Sequence, residues 1–248
     1  SQNAGADAYN VAVGYNTGAG ITTGTENTIM GGLAGDALTT GARNVAIGYH
    51  ALGGEDAHGK NVAIGYQALK AQDAGADAYN VAIGYSAGEN ISTGVQNVLM
   101  GGKAGDALTT GGGNVGLGYG ALSASVLGAS NTAIGVNAMG EGNATSTSGH
   151  NIAIGTDAGE VITDGRFNTL IGGEAGDAIT TGTGNVAVGH AALSTEDTHG
   201  TNVAIGQSAL ATLNAGVDGY NTAIGYTAGA LISTGVRNTV IGAIAGDA

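Results

Sequence analysis

Short segments in which large and small side chains alternate recur along the whole chain. In one of them, Val45, Ile47 and Tyr49 share one side of an extended backbone, whereas Ala46 and Gly48 share the other. This period of two predicts a β-strand, and valine and isoleucine favour the same structure. A glycine closes each segment and supplies the backbone freedom that a turn needs.

Each segment begins with an asparagine, so the pattern defines a repeat of Asn, Val/Thr/Ile, a variable residue, a bulky aliphatic and Gly. The fourteen copies begin at Asn10, Asn27, Asn44, Asn61, Asn80, Asn97, Asn114, Asn131, Asn151, Asn168, Asn185, Asn202, Asn221 and Asn238. The spacing is 17 residues, and it lengthens to 19 or 20 after every fourth copy. Such short units are typical of a parallel β-solenoid, with two or three short strands in each coil, rather than of helical repeats.

The longer spacings group the coils into super-repeats of four coil types. We predict a single all-β solenoid domain over 1–248, with super-repeats at 10–79, 80–150 and 151–220 and a partial one at 221–248. The fourth coil type carries the longer loops, at 70–79, 140–150 and 211–220, which we expect on one side of the stack. Because neither end has an atypical capping sequence, we expect a segment of a longer fibre or ends that a partner covers.

Equivalent residues of successive coils are expected to stack into ladders along the solenoid. The repeated asparagine predicts one ladder, in which each side-chain amide bonds to the amides above and below it. Asparagine also tolerates the left-handed conformation that a corner of the coil requires. The Ala/Gly side of each strand is small enough either to line a narrow core or to let another chain approach closely.

Composition excludes several classes of protein. The chain has 50 Gly but no Pro, and 42% of its residues are hydrophobic, which argues against collagen and against disorder. With 19 acidic and 6 basic residues the net charge is −13, so nucleic acid is not an expected partner. There is no run of eighteen apolar residues, so we predict no membrane span, and the lack of Cys excludes disulfides and thiolate metal sites.

The repeats resemble those of phage tail-fibre proteins. The resemblance rests on Asn-Val-Ala-Ile-Gly-Tyr-x-Ala-Leu at 44–52 and 61–69 and on Asn-Thr-Ala-Ile-Gly-Tyr at 221–226, and it extends over essentially the whole chain. Similar repeats occur in bacterial surface proteins that end in an endosialidase-type chaperone domain and, more distantly, in trimeric autotransporter adhesins. The resemblance implies a homotrimeric fibre on a virion, on a cell surface or outside the cell. Its implied role is attachment to a cell-surface carbohydrate or receptor.

Two groups of residues raise the question of metal binding. The stretch Gly-Gly-x-Ala-Gly-Asp-Ala approaches a calcium-binding nonapeptide, yet Asp36, Asp106 and Asp177 occur once in four coils and cannot form a continuous ladder. Turn capping is the favoured role of these aspartates. His58 and His199 lie beside Glu55-Asp56 and Glu196-Asp197, which we interpret as a solvated acidic loop. The sequence therefore predicts no metal site and no cofactor.

Repeated tyrosines and threonines suggest surfaces rather than chemistry. The tyrosines that follow the strand glycine could stack on sugars, but we favour packing; they are Tyr15, Tyr49, Tyr66, Tyr85, Tyr119 and Tyr226. The threonine pairs could form an ice-binding array, but two coil types lack them; they are Thr22-Thr23, Thr39-Thr40, Thr109-Thr110 and Thr180-Thr181. No catalytic triad or phosphate loop is visible, so we predict no enzymatic activity and no catalytic residue. The alternative functions are a filament subunit that stacks head to tail and, less favoured, an ice-binding solenoid.

Overall fold

The computed structural model describes residues 8–55, 57–142 and 149–247. Within these ranges the chain is a parallel β-solenoid, and each of its fourteen coils contributes one strand of three residues. The described residues contain no helix, and so none with the length and hydropathy of a membrane span. The chain divides into two compact units, Ser1–Leu127 and Gly128–Ala248.

The first unit holds seven strands, and each pairs in parallel with the next. They are β1 (Val11–Val13), β2 (Thr28–Met30), β3 (Val45–Ile47), β4 (Val62–Ile64), β5 (Val81–Ile83), β6 (Val98–Met100) and β7 (Val115–Leu117). The register joins equivalent residues of successive coils, so that Val45 pairs with Val62 and Val62 with Val81. The two additional residues before β5 therefore lie in a loop and leave the register intact.

The second unit repeats this arrangement with seven further strands. They are β8 (Thr132–Ile134), β9 (Ile152–Ile154), β10 (Thr169–Ile171), β11 (Val186–Val188), β12 (Val203–Ile205), β13 (Thr222–Ile224) and β14 (Thr239–Ile241). Thr132 pairs with Ile152 across a longer connection, and Ile152 pairs with Thr169. Residues 143–148 of the loop 140–150 lie outside the described residues, as do residues 1–7 and Asp56.

The middle residue of each strand faces the interior of the coil. Ala46, Ala63 and Ala82 are completely buried, whereas the residues on either side of each are partly exposed. Of the two roles expected for the small side of the strand, the structure shows the lining of a narrow core. The larger Val and Ile side chains consequently point outward.

A second core position holds a bulky side chain, and the second coil type adds another at the middle of the strand, where Ile29, Leu99 and Leu170 are fully buried. Two coil types have the order Gly-x-x-Ile or Gly-x-x-Leu, as in Gly88 and Ile91. The isoleucine fills the space beside the glycine, since a methyl group on Gly88 would lie only 3.0 Å from Ile91 Cδ1. The other two types reverse the order, so that the fully buried Leu52 and Leu69 fill the space and Glu55 and Gln72 take the position of the aliphatic. At these two positions side-chain volume lost at one is gained at the other, as close packing requires.

The asparagine ladder forms as expected, and it also bonds to the main chain. Asn168 Nδ2 donates to the carbonyl of Gly182 at 2.8 Å and so closes its own coil. Asn168 Oδ1 accepts the backbone N–H of Asn185 at 2.9 Å and so joins the next coil, while Nδ2 also donates to Asn151 Oδ1 at 3.1 Å. The ladder thus satisfies buried backbone groups in every coil where it is formed.

Two expectations about the coil were wrong. Each coil has one strand and not two or three, because left-handed residues such as Leu33 (φ 57°) and Gly35 (φ 52°) bend the rest of the coil. The corner residue in the left-handed conformation is not the asparagine but the residue before it, as in Glu26 (φ 60°) and Gln96 (φ 60°). The asparagine side chain reaches its backbone partners from an ordinary backbone conformation.

Candidate interaction surface

The outward side of the strands forms an uncharged surface, which we call the strand face. It consists of the first and third residue of each strand, and these are Val, Thr, Ile, Met or Leu throughout. Met30, Met100 and Ile171 each expose 38–42% of their surface. Most of the other outward residues are partly exposed. Although scattered exposed aliphatics are normal, a continuous column of partly exposed ones in each unit is not.

A column of tyrosines borders the strand face in the first unit. Tyr49, Tyr66 and Tyr85 stack on one another, with ring centroids 5.5 Å and 5.2 Å apart and interplanar angles of 17° and 6°. Both faces of the Tyr66 ring are therefore covered by its neighbours. The Tyr66 ring exposes its edge and hydroxyl group rather than its faces, so these three tyrosines pack on one another, as expected. The role of the other tyrosines stays a prediction.

Charged side chains lie at the other border of the strand face, not on it. Arg43 Nε donates to Glu26 Oε2 at 2.7 Å, and Lys60 Nζ lies 2.6 Å from Asp77 Oδ2. The Lys60 ammonium holds the pKa of the Asp77 carboxyl below its ordinary value. An uncharged centre with a charged rim is the usual arrangement of a protein–protein interface.

The threonine pairs serve the solenoid itself. The hydroxyls of Thr22, Thr109 and Thr180 donate to backbone carbonyls of the following coil at 3.2, 3.1 and 2.9 Å. An ice-binding array needs hydroxyls that are free to meet water. In these three of the four pairs, the first threonine is instead engaged in holding successive coils together.

The three aspartates of the second coil type are partly buried in turns. Burial raises the pKa of the Asp106 and Asp177 carboxyls above their ordinary value. Among the described residues, neither these two nor Asp36 joins two further His, Asp or Glu ligands close enough for one metal ion. Calcium binding by these residues stays an open alternative to turn capping.

The loops that contain His58 and His199 differ from the solvated acidic loop that the sequence indicates. Glu55 and Glu196 are completely buried, because they occupy the core position that an aliphatic residue takes in other coils. Burial raises the pKa of the Glu196 carboxyl. Sequence reasoning missed these glutamates, although the signal was present: where Leu precedes them by three residues, the core volume is already filled.

No family model, curated protein or solved structure matches this chain. A functional assignment for this chain has to rest on its own geometry and on the resemblance of its repeats.

Proposed function

We propose that this chain is a segment of an extracellular attachment fibre, in which the strand faces of three copies pack against one another. The observation that carries the proposal is the uncharged aliphatic strand face bounded by charged residues. The stiffness of the fibre would come from the hydrogen-bond ladders that join successive coils. The role in attachment follows the resemblance of the repeats to tail-fibre and adhesin repeats.

The area of the strand face sets what such an assembly needs. Seven strands about 4.8 Å apart, each three residues or about 10 Å long, cover about 30 Å by 10 Å, or about 300 Å² per unit. A standard interface buries roughly 800 Å² per partner, so a stable assembly has to use the strand faces of both units together with the residues that border them. The occupant that we infer is a second and third copy of the same chain.

Charge also favours packing through this face. Each copy carries a net charge of −13, so two copies repel one another over most of their surface. None of the fourteen strands contains an acidic residue. A self-association that avoids juxtaposed carboxylates therefore uses the strand face, where only aliphatic and threonine side chains meet.

The mass of the particle in solution tests the assembly. We expect light scattering to give three times the 23.6 kDa chain mass, independent of concentration. Ile83→Lys, which places a charge on the strand face of β5, is expected to give a folded monomer. Thr93→Lys, at an exposed turn residue away from the strand face, is the matched control and is expected to remain assembled.

Other masses separate the remaining hypotheses. A wild-type chain that stays monomeric at all concentrations contradicts the proposal. A mass that climbs with concentration, and that Ile83→Lys leaves unchanged, supports the head-to-tail filament instead.

The attachment role has a separate test in the loops of the fourth coil type. Gly75 and Gly216 lie in these loops with open space around them, and nearby Val217 and Tyr220 are more than half exposed. Replacing the exposed or partly exposed residues 73–76 and 214–217 by Gly/Ser linkers of the same length is expected to abolish binding to a cell-surface glycan array and to leave the circular dichroism unchanged. Unaltered glycan binding would rule out these loops as contact points.

A further inference from the structure

A histidine and a buried glutamate meet at the same coil type in both units. The backbone N–H of His58 donates to Glu55 Oε1 at 2.9 Å, and that of His199 donates to Glu196 Oε1 at 3.2 Å. The imidazole Nδ1 atoms lie 3.6 Å and 3.7 Å from the same carboxylate oxygens. The glutamates are inaccessible, while the histidine side chains are 31% and 30% exposed, so each pair is open to solvent on the imidazole side.

The distance between imidazole and carboxylate is informative. At 3.6–3.7 Å the two atoms are too far apart for a hydrogen bond. Two ligands of a tetrahedral cation, each about 2.0–2.1 Å from the metal, lie about 3.4 Å apart. The two pairs are thus close to the spacing of ligands that share one small cation.

A second carboxylate completes each cluster from a different place in the sequence. In the first unit it is Asp73, which comes from the following coil, and in the second unit it is Asp197, which comes from the same coil. In each cluster the three ligand atoms lie within 4.8 Å of one another. Thr198 Oγ1 also bonds to Asp197 Oδ1 at 3.1 Å and lies 2.9 Å from His199 Nδ1.

Buried polar atoms in both clusters have no hydrogen-bond partner. They are Nδ1 of His58 in the first cluster and Oε2 of Glu196 in the second. A buried polar atom without a partner is unfavourable, and such atoms are rare in proteins unless an ion, a water or a function accounts for them. Both atoms belong to the groups that converge in the cluster, and both are ligand types that a metal ion accepts.

We propose that each cluster binds one divalent transition-metal ion, with Zn²⁺ as the best match to one imidazole and two carboxylates. The ligands are Glu55, His58 and Asp73 in the first unit, and Glu196, Asp197 and His199 in the second. A metal in the first cluster also links two successive coils. The proposal does not depend on the oligomeric state.

The sequence also predicts how many metal ions each chain binds. The corresponding stretch of the super-repeat 80–150 reads Ser125-Val126-Leu127-Gly128 and offers no such ligands. Two ions per chain are therefore expected, and not three. Binding to scattered surface carboxylates would show no such limit.

Zinc titration of the chelator-treated full chain by calorimetry tests the proposal. We expect two Zn²⁺ per chain, one after either His58→Ala or His199→Ala, and none after both. His150→Ala, which removes an exposed imidazole stacked on Phe167, is the control and is expected to keep two sites. Zinc is also expected to raise the melting temperature of the wild type but not of the double variant.

Two results would overturn the proposal. One is a wild-type chain that binds no zinc at micromolar concentration, and the other is a folded double variant that binds zinc within tenfold of the wild-type affinity. If either alanine variant fails to fold by circular dichroism, His58→Asn and His199→Asn replace it and are expected to weaken binding at their own site at least tenfold. A failure here is distinct from a failure of the attachment fibre, because stoichiometry is counted per chain.

Discussion

Replacing Asn168 by alanine tests whether the asparagine ladder stabilises the coils. Asn168 is 1% exposed, and its amide serves two backbone groups. It donates to the Gly182 carbonyl at 2.8 Å and accepts the Asn185 N–H at 2.9 Å. Alanine removes both bonds and leaves a carbonyl and an N–H inside the solenoid, where the packed coils keep water out.

The expected loss follows from counting those two groups. A buried backbone group that loses its partner costs about 1–3 kcal/mol, so two of them give a loss of about 2–4 kcal/mol once some relaxation is allowed. The lost bond to Asn151 Oδ1 adds little, because that oxygen still accepts the backbone N–H of residue 168 at 3.0 Å. The effect is large compared with the ordinary stability of a folded domain.

Urea unfolding followed by far-ultraviolet circular dichroism measures the change at a fixed protein concentration. Asn168→Asp refines the test, because aspartate keeps an acceptor for Asn185 but, when ionised, cannot donate to Gly182. Burial raises the folded-state pKa of such an aspartate above its unfolded value of about 3.9. Its stability deficit relative to the wild type is therefore full at neutral pH and shrinks as the pH falls toward about 4.

A loss below about 0.5 kcal/mol for Asn168→Ala would refute the reasoning, because it would place the ladder at the level of an exposed hydrogen bond. A deficit of Asn168→Asp that does not change with pH would show that the donor role of the amide is unimportant. Either result would move the stabilising role from the asparagines to the backbone ladder.

Two further predictions concern backbone conformation and charge. Gly172→Ala is expected to destabilise by about 3 kcal/mol or more, since φ is +135° and the new methyl carbon would lie 2.5 Å from a carbonyl oxygen of the next coil. Gly216→Ala, at φ +69° with nothing within 4 Å, is the control and should cost about 1 kcal/mol; equal effects in urea unfolding would contradict this. Burial, reinforced by Asp157 and further carboxylates, raises the pKa of Glu160. The contribution of this group to the free energy of unfolding therefore falls as the pH rises from the ordinary pKa of a glutamate to the raised pKa of the folded state. Glu160→Gln is accordingly expected to stabilise the folded chain by about 0.5 kcal/mol at pH 7 and to have no effect at pH 3. A melting temperature that is lower than that of the wild type at pH 7 would contradict this expectation.

The sequence by itself determined the solenoid, its coil boundaries and its register. The Asn-to-Gly segments mark every strand, because a ladder of identical coils demands the same residue type at the same place in each turn. The parallel pairing of Val45 with Val62 follows directly from that spacing. The amide ladder was predictable for the same reason, since stacked asparagines have one another and the backbone as their nearest polar groups.

Only the tertiary structure decided which side of each strand faces inward. Alternation separates Ala46 from Val45 and Ile47, but it does not say whether the large or the small side fills the coil. The structure shows that the middle residue turns inward, whether it is Ala46 or the larger Ile29, and that the flanking Val and Ile form the surface. Because the coil is narrow and already holds Leu52 or its equivalents, the middle residue is small in most coils. The same lack of space explains the buried glutamates. Where leucine already fills the core, as Leu52 does, the position of the aliphatic residue is taken by Glu55 or Glu196, which lies beside its histidine.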